Sequence, residues 1–445
     1  MSSFIVEGAQ KLSGEIPVSG NKNEALPLIA ASLLCDKPVT FTNIPDIGDV
    51  RDMLKIAAGL GASVQPLENG AVTITAKNKL TSALPLAISA KIRGSILFAS
   101  SLLVRTGKAI IPQPGGDTIG RRRIDTHFHV FEALGATIQV KSKKTGTSGD
   151  YLQYTLDASK GLKGAEIYLD EASVTATENA VIAASGAKGK TVISNAACEP
   201  HVQGLCRFLQ KTGVTIEGVG SNVLTVHGTD AWSPADHAVG SDYIEAGSFI
   251  SLAASTGSAI TITNVDAHHL RMILFQFERL GVKVVADHKK RKIHVPDRQD
   301  FCIRRDLGAA IPRIEDSPWP GFPADLTSII LVAATQATGT CLIHEKMFES
   351  RLFFVDELIT MGAQIVLCDP HRAVVVGPSS LYGANINSPD IRAGMALLIA
   401  ALAAEGTSVI NNIFQIDRGY ERIDERLRLL GARITRASKP EDAKA

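Results

Sequence analysis

A chain of 445 residues is too long for one ordinary hydrophobic core, so about two domains are expected. Its 45% hydrophobic and 20% charged residues fit a soluble globular protein. With 46 basic and 45 acidic residues the net charge is +1, which excludes the basic surplus of a general nucleic-acid or anionic-membrane binder and requires any anion site to be a local cluster of Lys and Arg. The six cysteines (Cys35, Cys198, Cys206, Cys302, Cys341 and Cys368) show neither a CxxC pair nor zinc spacing, and a core role is expected for most of them. Residues 1–8 carry no basic or apolar signal-peptide region, and no apolar run reaches the roughly 18 residues that span a bilayer. A cytoplasmic protein without membrane attachment is expected, with a frayed polar tail over Ala437–Asp442.

In chain order, a short strand first leads into Ser19-Gly20-Asn21-Lys22-Asn23-Glu24, where a glycine turn, a lysine and a helix start together make a phosphate site plausible. The alternative is a solvated lysine. Strands follow at Val39-Thr40-Phe41 and Ser63-Val64-Gln65-Pro66. The loop Pro114-Gly115-Gly116-Asp117-Thr118-Ile119-Gly120-Arg121-Arg122-Arg123 combines conformationally free glycines with arginines able to grip carboxylate or phosphate, and otherwise reads as an exposed basic loop. Further strands are expected at Thr137–Val140, Thr191–Ser194 and Ser408–Asn411, and an Ala-rich helix at Met395–Ala404 should be buried on most sides. Phe322-Pro323-Ala324-Asp325, Phe348-Glu349-Ser350-Arg351, Asp390-Ile391-Arg392 and Asp417-Arg418-Gly419-Tyr420-Glu421-Arg422 each hold charges that, taken singly, read first as structural ion pairs.

A repeat underlies these elements. A helical stretch ending in Gly then Ala or Val recurs at Gly61, Gly135, Gly213, Gly281, Gly362 and Gly431, at intervals of 74, 78, 68, 81 and 69 residues. Each glycine sits where a helix end needs positive φ. A second series of small-residue helices ends at Gly107, Gly189, Gly257, Gly339 and Gly406, each before a β-branched strand. Six such units predict two α/β domains of three units each rather than a solenoid, with a crossing near Gly228–Asp242. Gly186–Thr191 has too few residues between its glycines for a P-loop, and His127, His129, His268 and His269 lack a metal-ligand pattern.

Gly20-x-Lys22-Asn23, Gly115-Gly116 with Ile119-Gly120, Phe322-Pro323-x-Asp325 and Asp417-Arg418-Gly419-Tyr420-Glu421-Arg422-Ile423 together resemble the UDP-N-acetylglucosamine 1-carboxyvinyltransferase family of enolpyruvyl transferases, from Phe4 to about Arg433. The resemblance implies a two-domain inside-out α/β barrel of six βαβαββ repeats, three per domain. One domain would cover 22–233 and the other 1–21 with 234–445, with the active site in the cleft between them. The implied reaction opens peptidoglycan synthesis: the 3′-hydroxyl of UDP-N-acetylglucosamine attacks C2 of phosphoenolpyruvate while C3 is protonated, and the tetrahedral adduct then loses phosphate and a C3 proton. The implied partners are these two small molecules, with no metal or organic cofactor; oligomeric state is left open.

By the same resemblance, Lys22, Arg122 and Arg418 bind the phosphate and its developing charge, Arg351 and Arg392 hold the phosphoenolpyruvate carboxylate, and Asp325 is the base near the sugar hydroxyl. Asn23, Arg93, Asp125, Ser173, Val174, Thr175 and Met347 fall where the family contacts the UDP-sugar, and Pro114–Arg122 would be the lid. Three residues depart from the family pattern. Asp117 stands where a cysteine usually donates the C3 proton and is alkylated by fosfomycin, so the acid role would pass to a carboxyl that the closed site keeps protonated, and covalent inactivation by fosfomycin is not expected. Arg123 replaces a usual proline, and His201 a common glutamate. Transfer to another acceptor, or a non-catalytic UDP-sugar-binding relative, are the alternatives; Asp117 is the only feature favouring the last.

Overall fold

The computed structural model describes residues 2–117, 119–120, 122–145, 149–297 and 299–437; the tail from Ser438 onward lies outside the described residues. The chain divides into two compact units: Gly20–Asp117 with Arg123–Gly240, and Met1–Ser19 with Thr118–Arg122 and Ser241–Ala445. Each has its own hydrophobic core.

Each unit contains three copies of one βαβαββ pattern. In the third repeat the order is strand Glu166–Tyr168, helix Val174–Ser185, strand Lys190–Ser194, helix Pro200–Lys211, and strands Thr215–Glu217 and Val223–His227. The first strand pairs parallel with the second, which pairs antiparallel with the last. The same sheet order recurs in the other repeats. In the second repeat the parallel edge is reduced to one bridge, Ala83 to Ile110.

Two repeats borrow their edge strand from a distant part of the chain. Asp236–Ala238 lies parallel to Val39–Thr42 in the first repeat, and Ser13–Pro17 lies parallel to Ala259–Thr263 in the fourth. Ser3–Glu7 completes the sixth, between Thr407–Asn411 and Arg433–Ala437.

Helix inside and sheet outside follow from residue pattern. The helices Tyr243–Ser255, Thr327–Gln336 and Ile391–Ala403 are apolar all round, so they are buried and pack on one another. Strands such as Ala259–Thr263 instead alternate buried and half-buried residues, with one face on the core and one toward solvent. All six repeat glycines have φ between 90° and 107°. At each one the following N–H reaches back to the carbonyl five residues earlier, as in Ala62 to Ala57 and Ala432 to Leu427, at 3.1 and 3.0 Å.

The cysteine expectation holds for half of the set. Cys35, Cys206 and Cys341 are buried and Cys198 is half-buried, whereas Cys302 and Cys368 are exposed. Among the described residues no helix is long and apolar enough to cross a membrane.

Candidate active site

Within each unit, several of the side chains singled out by sequence lie at the N-terminal ends of inner helices. There, unpaired backbone N–H groups and the helix dipole favour anions. In the Gly20–Gly240 unit, Asn21 caps the helix Lys22–Ser32 by accepting the Glu24 N–H at 3.1 Å. That cap fixes Lys22 as the first helical residue. Lys22 is buried, and its Nζ lies 2.8 Å from Oδ2 of Asp49. The solvated-lysine alternative is thereby excluded. Asn23 beside it is half-buried.

Arg93 opens the 3-10 turn that precedes helix Phe98–Thr106 and donates to the Arg123 carbonyl. The Arg123 guanidinium reaches Asp125 at 2.8 Å and Asp170 at 3.6 Å. Arg123 therefore organises this edge through ion pairs. Ser173 caps helix Val174–Ser185, and Val174 and Thr175 form its first turn, all half-buried. Behind them His127 is held between Asn179, 2.8 Å from its Nδ1, and the Thr175 hydroxyl, 3.2 Å from its Nε2. Burial, with Arg93 nearby, pushes its pKa down to about 3, so the ring is neutral. It is thus a core histidine that braces a site residue.

Asp117 is half-buried in the loop after strand Lys108–Pro112. A Cβ at Gly115 would stand 2.1 Å from the Ala90 carbonyl oxygen, and Gly116 has φ 113°, so both positions demand glycine for different reasons. Arg122 is half-buried. Thr118 and Arg121 of the expected lid lie outside the described residues.

In the carboxy-terminal unit the structure joins three predicted residues. Asp325, in the 3-10 turn before helix Thr327–Gln336, accepts from Arg351 Nη2 at 3.1 Å and from Arg392 Nε at 3.0 Å. Both arginines are at most 6% exposed, whereas Asp325 is 29% exposed. Two buried guanidiniums thus converge on one partly exposed carboxylate, while Glu345 and Asp390 also act on Arg351 and Asp242 on Arg392. Asp390 caps helix Ile391–Ala403 and accepts the Arg392 and Ala393 N–H groups, fixing the backbone that carries Arg392. The Arg392 guanidinium also lies 5.4 Å from the Tyr420 ring centre. Arg418 is buried on the same turn as Tyr420 and donates to Gln415 at 2.8 Å. Met347 is 42% exposed.

Asp49, Asp170, Asp316 and Glu345 were not found by reading the sequence, whereas His127 was read there as a histidine without a metal-ligand pattern and is a core residue. Asp49 is 27 positions from Lys22 and carries no motif of its own. The Asp-Arg-Gly-Tyr-Glu-Arg segment did signal Tyr420, without its role. Among the described residues no group of three or more His, Cys, Asp or Glu is placed to hold a metal ion.

Residues 6–427 match the family model described as EPSP synthase (3-phosphoshikimate 1-carboxyvinyltransferase). The UDP-N-acetylglucosamine 1-carboxyvinyltransferase of Treponema denticola is 51% identical over 434 residues, covering 98% of this chain and 99% of that one. The protein of the same description from Bradyrhizobium diazoefficiens is 50% identical and covers 97% of each chain. In fold, the chain is similar to the enolpyruvyl transferase NikO from Streptomyces tendae, with TM-score 0.83 at 23% identity over 99% of both chains. EPSP synthase from Acinetobacter baumannii gives 0.74 at 19% identity, over 98% of this chain and all of that one. The fold is the two-domain α/β enolpyruvyl-transferase fold, and the chain belongs to the enolpyruvyl transferase family, within it to the UDP-N-acetylglucosamine 1-carboxyvinyltransferases of peptidoglycan synthesis.

Proposed function

We propose that this chain transfers the enolpyruvyl group of phosphoenolpyruvate to the 3′-hydroxyl of UDP-N-acetylglucosamine and releases phosphate, in the cytoplasm. The observation that carries the reading is the pair of buried arginines, Arg351 and Arg392, on the single carboxylate of Asp325. That arrangement prepares a place for a second carboxylate and keeps a base beside it. The family relationship supplies the reaction class.

In this reading Arg351 and Arg392 hold the phosphoenolpyruvate carboxylate, while Lys22, Arg122 and Arg418 hold the phosphate and the charge that grows on it as the C–O bond breaks. Asp325 takes the proton of the attacking hydroxyl. Asp117, standing for the family's cysteine, delivers a proton to C3, and its carboxylate is too weak a nucleophile for fosfomycin to trap. Asn23, Arg93, Asp125, Ser173, Val174, Thr175 and Met347 position the UDP-sugar. The domains run 22–233 and 1–21 with 234–445, and their residues meet the two substrates together, with Pro114–Arg122 as a lid.

Phosphate release from phosphoenolpyruvate, measured with and without UDP-N-acetylglucosamine, tests this directly. Wild type should release phosphate only with the acceptor, and Asp117→Asn should lose it. Tight UDP-sugar binding with no release would instead indicate a binding protein, and release with a different acceptor would correct the substrate.

A further inference from the structure

Near the Nε of Arg351, whose Nη2 bonds Asp325, lies a buried carboxyl that the reaction does not use. Glu345 has no solvent exposure, and its neighbour Asp316 has 1%. Glu345 Oε1 accepts the Phe348 N–H at 3.1 Å. Its other oxygen, Oε2, stands 3.8 Å from Arg351 Nε, and neither atom has a hydrogen-bond partner. Two buried groups of opposite potential charge thus face each other slightly beyond bonding distance. Closing that gap would give the Arg351 Nε–H an acceptor, and the pull toward it is stronger from an ionised carboxylate than from a neutral carboxyl.

The surroundings fix both partners in place. Asp316 accepts the Lys346 and Met347 N–H groups, and the Glu345 backbone is paired with His371 in both directions, at 2.8 and 2.7 Å. The Arg351 guanidinium lies 5.0 Å from the Phe348 ring centre. One residue before Arg351, the Ser350 N–H donates to the Ile119 carbonyl of the loop expected to be the lid, at 3.1 Å. The segment Lys346–Arg351 therefore bears Met347, Arg351 and the lid contact, and two carboxyls hold its backbone.

We propose that Glu345, with Asp316 beside it, is a positioning residue for the phosphoenolpyruvate carboxylate site: neutral, it leaves the Arg351 guanidinium to the substrate, and ionised, it takes that guanidinium for itself. The proposal rests on the assignment of Arg351 made above. Burial pushes the Glu345 carboxyl up to about 8, with Arg351 opposing the shift and Asp316 adding to it. The groups facing Glu345 are Arg351, Asp316 and the Thr327 hydroxyl, with His371 on its backbone and Asp325 and Asp390 also acting on Arg351. At neutral pH Arg351 shares Asp325 with Arg392 and faces a neutral Glu345. When Glu345 loses its proton to solvent, Arg351 gains a carboxylate of its own and is drawn toward it.

The test is steady-state kinetics of the full chain from about pH 6.5 to about pH 9.5, with Glu345→Gln and Glu345→Ala. For wild type, the KM for phosphoenolpyruvate should rise about tenfold through a midpoint near pH 8, while kcat and the KM for UDP-N-acetylglucosamine change much less. Glu345→Gln keeps an acceptor for the Phe348 N–H and cannot ionise. It should hold kcat within about threefold and lose the alkaline KM rise. Glu345→Ala should raise that KM at every pH. An alkaline KM rise in Glu345→Gln equal to that of wild type would overturn the proposal. Absence of turnover in wild type at pH 7 would sink the functional reading instead. Calorimetric titration with phosphoenolpyruvate at both ends of the pH range would then decide the role of Glu345, because equal pH dependence in wild type and Glu345→Gln refutes it.

Discussion

The Lys22 ammonium and the Asp49 carboxylate form a buried ion pair, with Nζ 2.8 Å from Oδ2 and side chains only 10% and 6% exposed. A pair this dry holds its geometry because neither partner can turn to water, but it leaves a stranded charge if one partner is removed. Asp49→Asn should therefore destabilise the Gly20–Gly240 unit by about 3 kcal/mol and lower kcat/KM for phosphoenolpyruvate by about tenfold. Denaturant unfolding and initial rates check both numbers. Unchanged stability would mean that Lys22 finds solvent or another partner in the variant.

Asp325 is the counterion of Arg351 and Arg392 and, in the proposed reaction, also the base. Asp325→Asn removes the base and a negative charge from the anion site. Its kcat should fall by about a hundredfold or more, while phosphoenolpyruvate binds at least as tightly as to wild type. Single-turnover rates and calorimetry separate the two effects. Loss of binding with kcat preserved would assign Asp325 a purely structural role.

Asp117 makes the response to fosfomycin a sharp test. Wild type should keep full activity through prolonged incubation with the compound. Asp117→Cys should lose activity with time and gain the mass of one adduct on the new thiol. An adduct on Asp117 of wild type would contradict the assignment.

His127 couples stability to pH. Its folded pKa of about 3 lies below the ordinary 6.5, so the unfolded chain binds the proton more readily. The stabilisation is complete above about pH 6.5 and is lost as pH falls toward 3. At pH 5 the Gly20–Gly240 unit should be about 2 kcal/mol less stable than at pH 7.5 on account of this residue. His127→Gln should remove that part of the slope, which urea unfolding at the two pH values measures. An unchanged slope would place the acid sensitivity elsewhere.

Local chemistry made much of this molecule readable in advance. Each glycine of the main repeat series marks a helix end whose left-handed turn only glycine adopts at little cost, so the six repeats were visible without any contact map. The inner helices were legible for a similar reason, since Met395–Ala404 offers almost no polar face to solvent. The motif residues were legible as charges, yet each, taken singly, read first as a plain ion pair. In the case of Asp325, Arg351 and Arg392 the ion pairs are present, and in the proposed function the same two arginines also hold the substrate carboxylate.

Other features depend on which distant segments the folded chain brings together. Asp49 beside Lys22 and Asn179 behind His127 arise from packing between elements far apart in sequence, and Glu345 meets Arg351 only because the short segment between them folds back. The closing strands Asp236–Ala238 and Ser13–Pro17 likewise pair with partners roughly two hundred residues away or more. Periodicity, glycine placement and charge type are properties of short stretches, so the sequence by itself determined the repeats, the fold class and the roster of candidate charges. Burial and counterion choice are properties of the assembled core, where desolvation decides whether a carboxyl is ionised and whether an arginine is spent on the protein or kept for a ligand. Only the tertiary structure decided those.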